Sequence, residues 1–274
     1  MRRDLVRLVL AAVVLLALGS VVQGAFDRPT TASAAKTPRP APRPHPTVVT
    51  QSAQFGTLVA WHANGSLQYY ADDHTKYFDV DPVEGTKYTV EYTATDTVHT
   101  AGPTCSSPPC THNYVERTNL STGEKRVVYE RYDPREYAAE WHDHERINDT
   151  HVLIADIIDD QVFIVNTETG TVTWEWEGQS DYDVRNGGAY PDDWMHINDV
   201  ELLEDGRGMG SIRNFDQVAF IDPGHGVQDN WTLGTDDAHD VLFEQHNPDY
   251  IPASRGGPAV VVADSENNRL VEYQ

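Results

Sequence analysis

Three histidines stand in similar polar settings along the second half of the chain: Trp141-His142-Asp143-His144-Glu145, Asp193-Trp194-Met195-His196-Ile197-Asn198-Asp199 and Gln245-His246-Asn247-Pro248-Asp249. Taken singly, any of the twelve histidines is an ordinary surface or core residue, and only the recurrence singles these three out. Arg213, in GSIRNFDQV, follows His196 at the end of the next strand of the same unit, so it can reach the same place. An arginine among histidines is poorly suited to hold a metal cation, because its fixed charge repels the ion. It suits an oxyanion such as sulfate or phosphate, which its planar fork holds through two hydrogen bonds. A neutral imidazole beside it is a competent nucleophile near neutral pH.

Something must bring these residues together, and the remaining sequence indicates what. No long amphipathic helix follows residue 50. Instead there are short β-branched and aromatic runs between turn formers, among them KYTVEYTA, KRVVYERY, HVLIAD, QVFIVN, TVTWEWE, QVAFID, AVVVAD and RLVEYQ. Some repeat as a set: HVLIAD with QVFIVN matches AVVVAD with RLVEYQ, and MGSIRN with QVAFID is a variant. Each set follows one of the three histidines, with a period near fifty residues. That is the signature of an all-β propeller of four-stranded blades, and about four to five blade units are visible. NLSTGEKRVVYE parallels NTETGTVTWEWE as the outer hairpin of another blade. If each histidine precedes an inner strand, His142, His196 and His246 converge on the channel. RLVEYQ reads as a third strand with no fourth, so the ring is closed by an N-terminal strand or is incomplete.

At this point the residues resemble a family, the bacterial periplasmic arylsulfotransferases that use no nucleotide donor, in what looks like a haloarchaeal-type member short at the C-terminus. The resemblance rests on W-H-D with the strand after it, D-W-M-H-I-N-D-V with S-I-R-N, and Q-H-N-P-D, from about Trp141 onward. It implies that His246 attacks the sulfur of a phenolic sulfate ester to form a sulfohistidine. His142, His196 and Arg213 would grip the sulfuryl oxygens, and a phenol would then accept the group, with no cofactor and no metal. Trp141 stands where the family has a first histidine, so His142 and His144 compete for one role. Trp194, His144 and Asn198 are the expected substrate contacts, Trp194 by stacking on the aryl ring. Trp174 and Trp176 alternate along one strand and read as core. Asp143, Asp199 and Asp249 either orient the imidazoles or cap turns.

The N-terminus addresses the protein. Met1-Arg2-Arg3 precedes the apolar run Leu5 to Val22, which is read as a membrane-spanning helix over residues 1–25, a signal anchor or a cleaved signal peptide. Residues 26–50, rich in Pro, Thr and Ala, form an extended stalk, and 51–274 the propeller, outside the cell membrane or secreted. The net charge is −23, and residues 49–274 carry 13 Lys/Arg against 41 Asp/Glu. Such a surface repels nucleic acid. With four lysines among twenty basic residues, the composition matches a protein of a high-salt environment. Cys105 and Cys110 in CSSPPC are expected to form a loop-stapling disulfide. Two rival functions remain: a non-catalytic cell-surface propeller that binds a protein or glycan, and a metal-dependent hydrolase built on His142, His144 and His196 with Asp143 or Asp199.

Overall fold

The computed structural model describes residues 46–52 and 55–274. The apolar segment, with the expected helix and anchor, and the stalk up to residue 45 lie outside the described residues. Among the described residues no helix is long and apolar enough to cross a membrane.

The chain forms five antiparallel sheets in sequence order, a five-bladed β-propeller. Blade 1 holds β1 (Thr47–Gln51), β2 (Thr57–Trp61) and β3 (Leu67–Ala71). Blade 2 holds β4 (Lys76–Pro82), β5 (Thr89–Val98), β6 (Cys110–Asn119) and β7 (Lys125–Asp133). Blade 3 holds β8 (Trp141–Arg146), β9 (His151–Asp156), β10 (Gln161–Asn166) and β11 (Thr171–Glu177). In blade 4, β12 (Ile197–Leu202), β13 (Gly208–Ile212) and β14 (Gln217–Asp222) are followed by the short β15 (Gly226–Val227) and β16 (Leu233–Gly234), which both pair with β14. Blade 5 holds β17 (His246–Ile251), β18 (Ala259–Asp264) and β19 (Arg269–Tyr273).

The second strand of a blade reads as an unbroken apolar run because both its faces are covered. Along β9, Val152 and Ile154 pack with Trp141, Val115 and Phe163 on one side, while Leu153 and Ala155 pack with Val200, Ile212 and Trp194 on the other. Four such apolar clusters form, one at each junction of consecutive blades. Trp176 belongs to one of them, as its alternation with Glu175 predicts, and Trp174 packs against it. The expected hairpin staple is present: Cys105 and Cys110 are disulfide-bonded across the β5–β6 turn. Closing so short a loop contributes about 2 kcal/mol by restricting the unfolded chain.

Three expectations are corrected here. β1 starts at Thr47, so the folded part reaches back across the boundary set at residue 50. Among the described residues only blades 2 and 3 have four full strands. And β1 pairs with β2 in its own blade, so it does not complete blade 5, where β19 is the third strand.

Candidate functional site

The inner strands β4, β8, β12 and β17 are polar, and each carries a bulge near its start. An extra residue there re-aims the side chains beside it. Counting back from the acid past each bulge, Asp81, Glu145, Glu201 and Asp249 are equivalent in the four blades. Three residues earlier stand Phe78, His142, Asn198 and His246, and two before those Lys76, Glu140, His196 and Glu244. His142 and His246 are therefore true equivalents, whereas His196 belongs to the neighbouring position. The backbone agrees: His196 and Glu244 share the left-handed region, with φ of 51° and 47°. The expected register of three equivalent histidines is corrected in this respect, yet the His142 and His196 rings are in contact and His246 lies within electrostatic reach of both.

His142 stacks on Phe78, 4.2 Å between centroids, and meets His196 edge-on at 5.0 Å. Burial holds its pKa well below the ordinary 6.5, and the positive charges of His196, His246, Lys76 and Arg213 add to this. Burial also lowers the pKa of His246, helped by Arg213 and His196. The Nδ1 of His246 lies 3.0 Å from the Glu244 carbonyl oxygen and 2.9 Å from Ser265 Oγ. A carbonyl only accepts, so Nδ1 carries the proton and Nε2 presents its lone pair. His196 Nδ1 lies 2.8 Å from Asp193 Oδ1.

Arg213 opens a single 3-10 turn directly after β13, and Ser265 occupies the same place after β18, so both project toward His246 from successive blades. The Arg213 guanidinium donates to Asn214 Oδ1 at 2.7 Å and is ion-paired with Glu244. A cleft of about 720 Å3 is lined by Lys76, Phe78, Arg135, Glu140, His142 and His196, among others, and Arg213 lines a separate cleft with Asp193 and Glu244. Lys76 is ion-paired with Glu140. Arg135, by contrast, donates only to the backbone oxygens of Ile158, Pro191 and Asp192, so its charge has no carboxylate partner among the described residues. Sequence reading missed Arg135, Phe78 and Ser265. Arg135 lies on an irregular connection without a repeat to mark it, but Phe78 could have been found by aligning KYFDVD with EWHDHE.

The expected substrate contacts do not join this site. Trp194 is fully buried in the blade 3–blade 4 core, edge-on to Phe215, with Nε1–H donating to the Asn186 carbonyl at 2.8 Å. No face is free to stack on an aryl ring. Trp194→Phe is therefore expected to cost about 1–3 kcal/mol in a denaturant melt and to leave KM for an aryl sulfate unchanged. Asn198 is buried and donates to the Gln245 carbonyl at 2.9 Å, tying blade 4 to blade 5. His144 is buried among acids, 3.1 Å from Asp79 and 3.3 Å from Glu91, and holds none of the sites beside His142. This also separates His144 from His142 and His196 as the ligand set of a hydrolase. Asp143 accepts from the Val200 N–H at 2.6 Å, a clamp between β8 and β12 rather than an imidazole orienter.

No family model matches the chain, and no curated protein does. Among solved structures it is similar to a protein of unknown function from Bacteroides caccae, with a TM-score of 0.53, 9% identity, and coverage of 85% of this chain and 69% of that one. It is also similar to the WD40 β-propeller domain of Doa1 (TM-score 0.47, 15% identity, 82% of this chain, 59% of that one). The C-terminal WD40 domain of Sif2 follows (TM-score 0.43, 12% identity, 81% of this chain, 53% of that one). Likeness at these identities speaks for the fold alone.

Chemically, the cluster offers two imidazoles held neutral, a third backed by a carboxylate, and arginine and lysine charge at a cleft of substrate size. Such a set can bind an oxyanion and pass a group to nitrogen.

Proposed function

We propose that the protein transfers a sulfuryl group from a phenolic sulfate ester to a phenol through His246. The observation that carries the proposal is the setting of His246, whose Nδ1 faces the Glu244 carbonyl and Ser265 Oγ, contacts that favour Nδ1–H and leave Nε2 as a neutral nucleophile. Nε2 attacks sulfur, an N–S bond forms, and the S–O bond to the phenolate breaks. His196, backed by Asp193, protonates the departing phenolate. The hydroxyl of an acceptor phenol then attacks the same sulfur, returns its proton to His196 and frees His246. Arg213 stabilises the equatorial oxygens in both steps, since such transfer depends mainly on in-line positioning and charge stabilisation. Phe78, stacked on His142 and lining the cleft, takes the place expected of Trp194 as the aromatic contact for the aryl ring.

A second reading, a propeller that binds a protein or glycan without turning it over, is favoured by one observation. Lys76 and Arg213 already have carboxylate partners, Glu140 and Glu244, so the cluster is largely neutralised before any anion arrives. The deciding experiment mixes the full chain at high KCl with 4-nitrophenyl sulfate in the absence of phenol. A nitrophenolate burst of one equivalent, with the mass of one sulfuryl group on the peptide holding His246, supports transfer. A folded protein giving no burst and no adduct, with or without phenol, supports the binding reading.

A further inference from the structure

Past the bulge of β8, a second polar group is drawn together that the transfer chemistry does not use. Asp79 and Asp81 come from β4 and His144 from β8, and one donor atom from each lies within 4.8 Å of the others. Ligand atoms around a cation at about 2.0–2.4 Å stand roughly 3–4.5 Å apart, so this spacing suits a shared ion. Asp143 and Asp199 add buried carboxylates nearby.

Acidic clusters are common in so acidic a protein, and His144 is what distinguishes this one. Its side chain is 0% exposed, yet neither ring nitrogen makes an aligned hydrogen bond, although carboxylate oxygens stand 3.1 Å and 3.3 Å away. Asp79 Oδ2, on the Nδ1 side, is likewise buried without a hydrogen-bond partner. The two sides of the ring differ. Glu91, facing Nε2, is anchored by Arg117 at 2.9 Å and Arg146 at 2.7 Å, which leaves it placed to hold the Nε2 proton. Nδ1 faces Asp79 across 3.1 Å, a gap that a second ring proton or a cation held between the two can bridge. A carboxylate holding the far nitrogen of a ligating imidazole is the usual support of a metal-bound histidine.

We infer that Asp79, Asp81 and the Nδ1 of His144 bind one divalent first-row transition-metal ion, pinning blade 2 to blade 3. Two carboxylates and one imidazole suit Mn2+ or Zn2+ better than Ca2+, which favours an all-oxygen shell. This inference is independent of the sulfuryl-transfer reading, because none of the three residues belongs to that site.

The test is to strip the full chain with chelator, reload it with MnCl2 or ZnCl2 in high KCl, desalt it, and measure metal content and melting temperature. One equivalent per chain and a rise in Tm of about 5–10 °C are expected. His144→Gln and Asp79→Asn should each weaken binding at least about tenfold, whereas His196→Gln should not. Nitrogen hyperfine coupling in the pulsed EPR spectrum of the Mn2+-loaded wild type reports the imidazole even if the variants fail to fold. A wild type that retains under a tenth of an equivalent overturns the inference. So does a loaded protein without nitrogen coupling, or one whose affinity is the same after His144→Gln.

Discussion

His246→Ala is expected to lower phenol-dependent nitrophenolate release from 4-nitrophenyl sulfate by at least about 10^3-fold, the scale on which covalent enzymes lose rate with their nucleophile. The half-buried ring makes few structural contacts beyond Ser265 and the Glu244 carbonyl. His246→Asn supplies an amide N–H where Nδ1–H stood and should fold as the parent does, yet transfer no faster than the alanine variant. Because the folded-state pKa of His246 lies below 6.5, the neutral form prevails from there upward. Wild-type kcat/KM should fall as the pH drops through the depressed value. A His246→Asn enzyme working within about threefold of wild type would remove His246 from the mechanism.

Arg213→Ala should act twice. Losing a charge-assisted donor to the sulfuryl oxygens is worth about 10^2–10^3 in kcat/KM. The substitution also removes a positive charge that lowers the pKa of His246 and leaves Glu244 without its partner, and both changes favour the imidazolium. The acid limb of the pH profile should therefore move to higher pH, so that the loss is larger at pH 6 than at pH 8. Arg213→Lys should recover part of the pH shift but little of the rate, since an ammonium cannot repeat the planar fork. A pH profile for Arg213→Ala that superimposes on the wild-type profile after scaling would place Arg213 outside the electrostatic reach of His246.

The repeating middle strands were legible because each buries both faces. HVLIAD, QVFIVN, QVAFID and AVVVAD occupy, residue for residue, the strands they were expected to form. A β-branched run bounded by turn formers has few alternatives, so composition and period alone determined the all-β class, the blade repeat and the Cys105–Cys110 staple. The inner strands β4, β8, β12 and β17 escaped that logic. KYFDVDP, WHDHER, INDVEL and HNPDYI carry polar side chains toward the channel and lack apolar alternation, so the histidine motifs read as approaches to strands rather than as strands.

What only the tertiary structure decided is which residues share a face. A bulge shifts side-chain direction by one residue, and nothing local in the sequence announces it. That register makes His142 the equivalent of Asn198, sets His196 two residues back, and places His144 against Asp79 and Glu91. Trp194, in the connection before β12, is out of the site because the junction of blades 3 and 4 closes over it. The sequence by itself determined the set of groups that could bind an oxyanion. The packing of one blade on the next decided which of them meet.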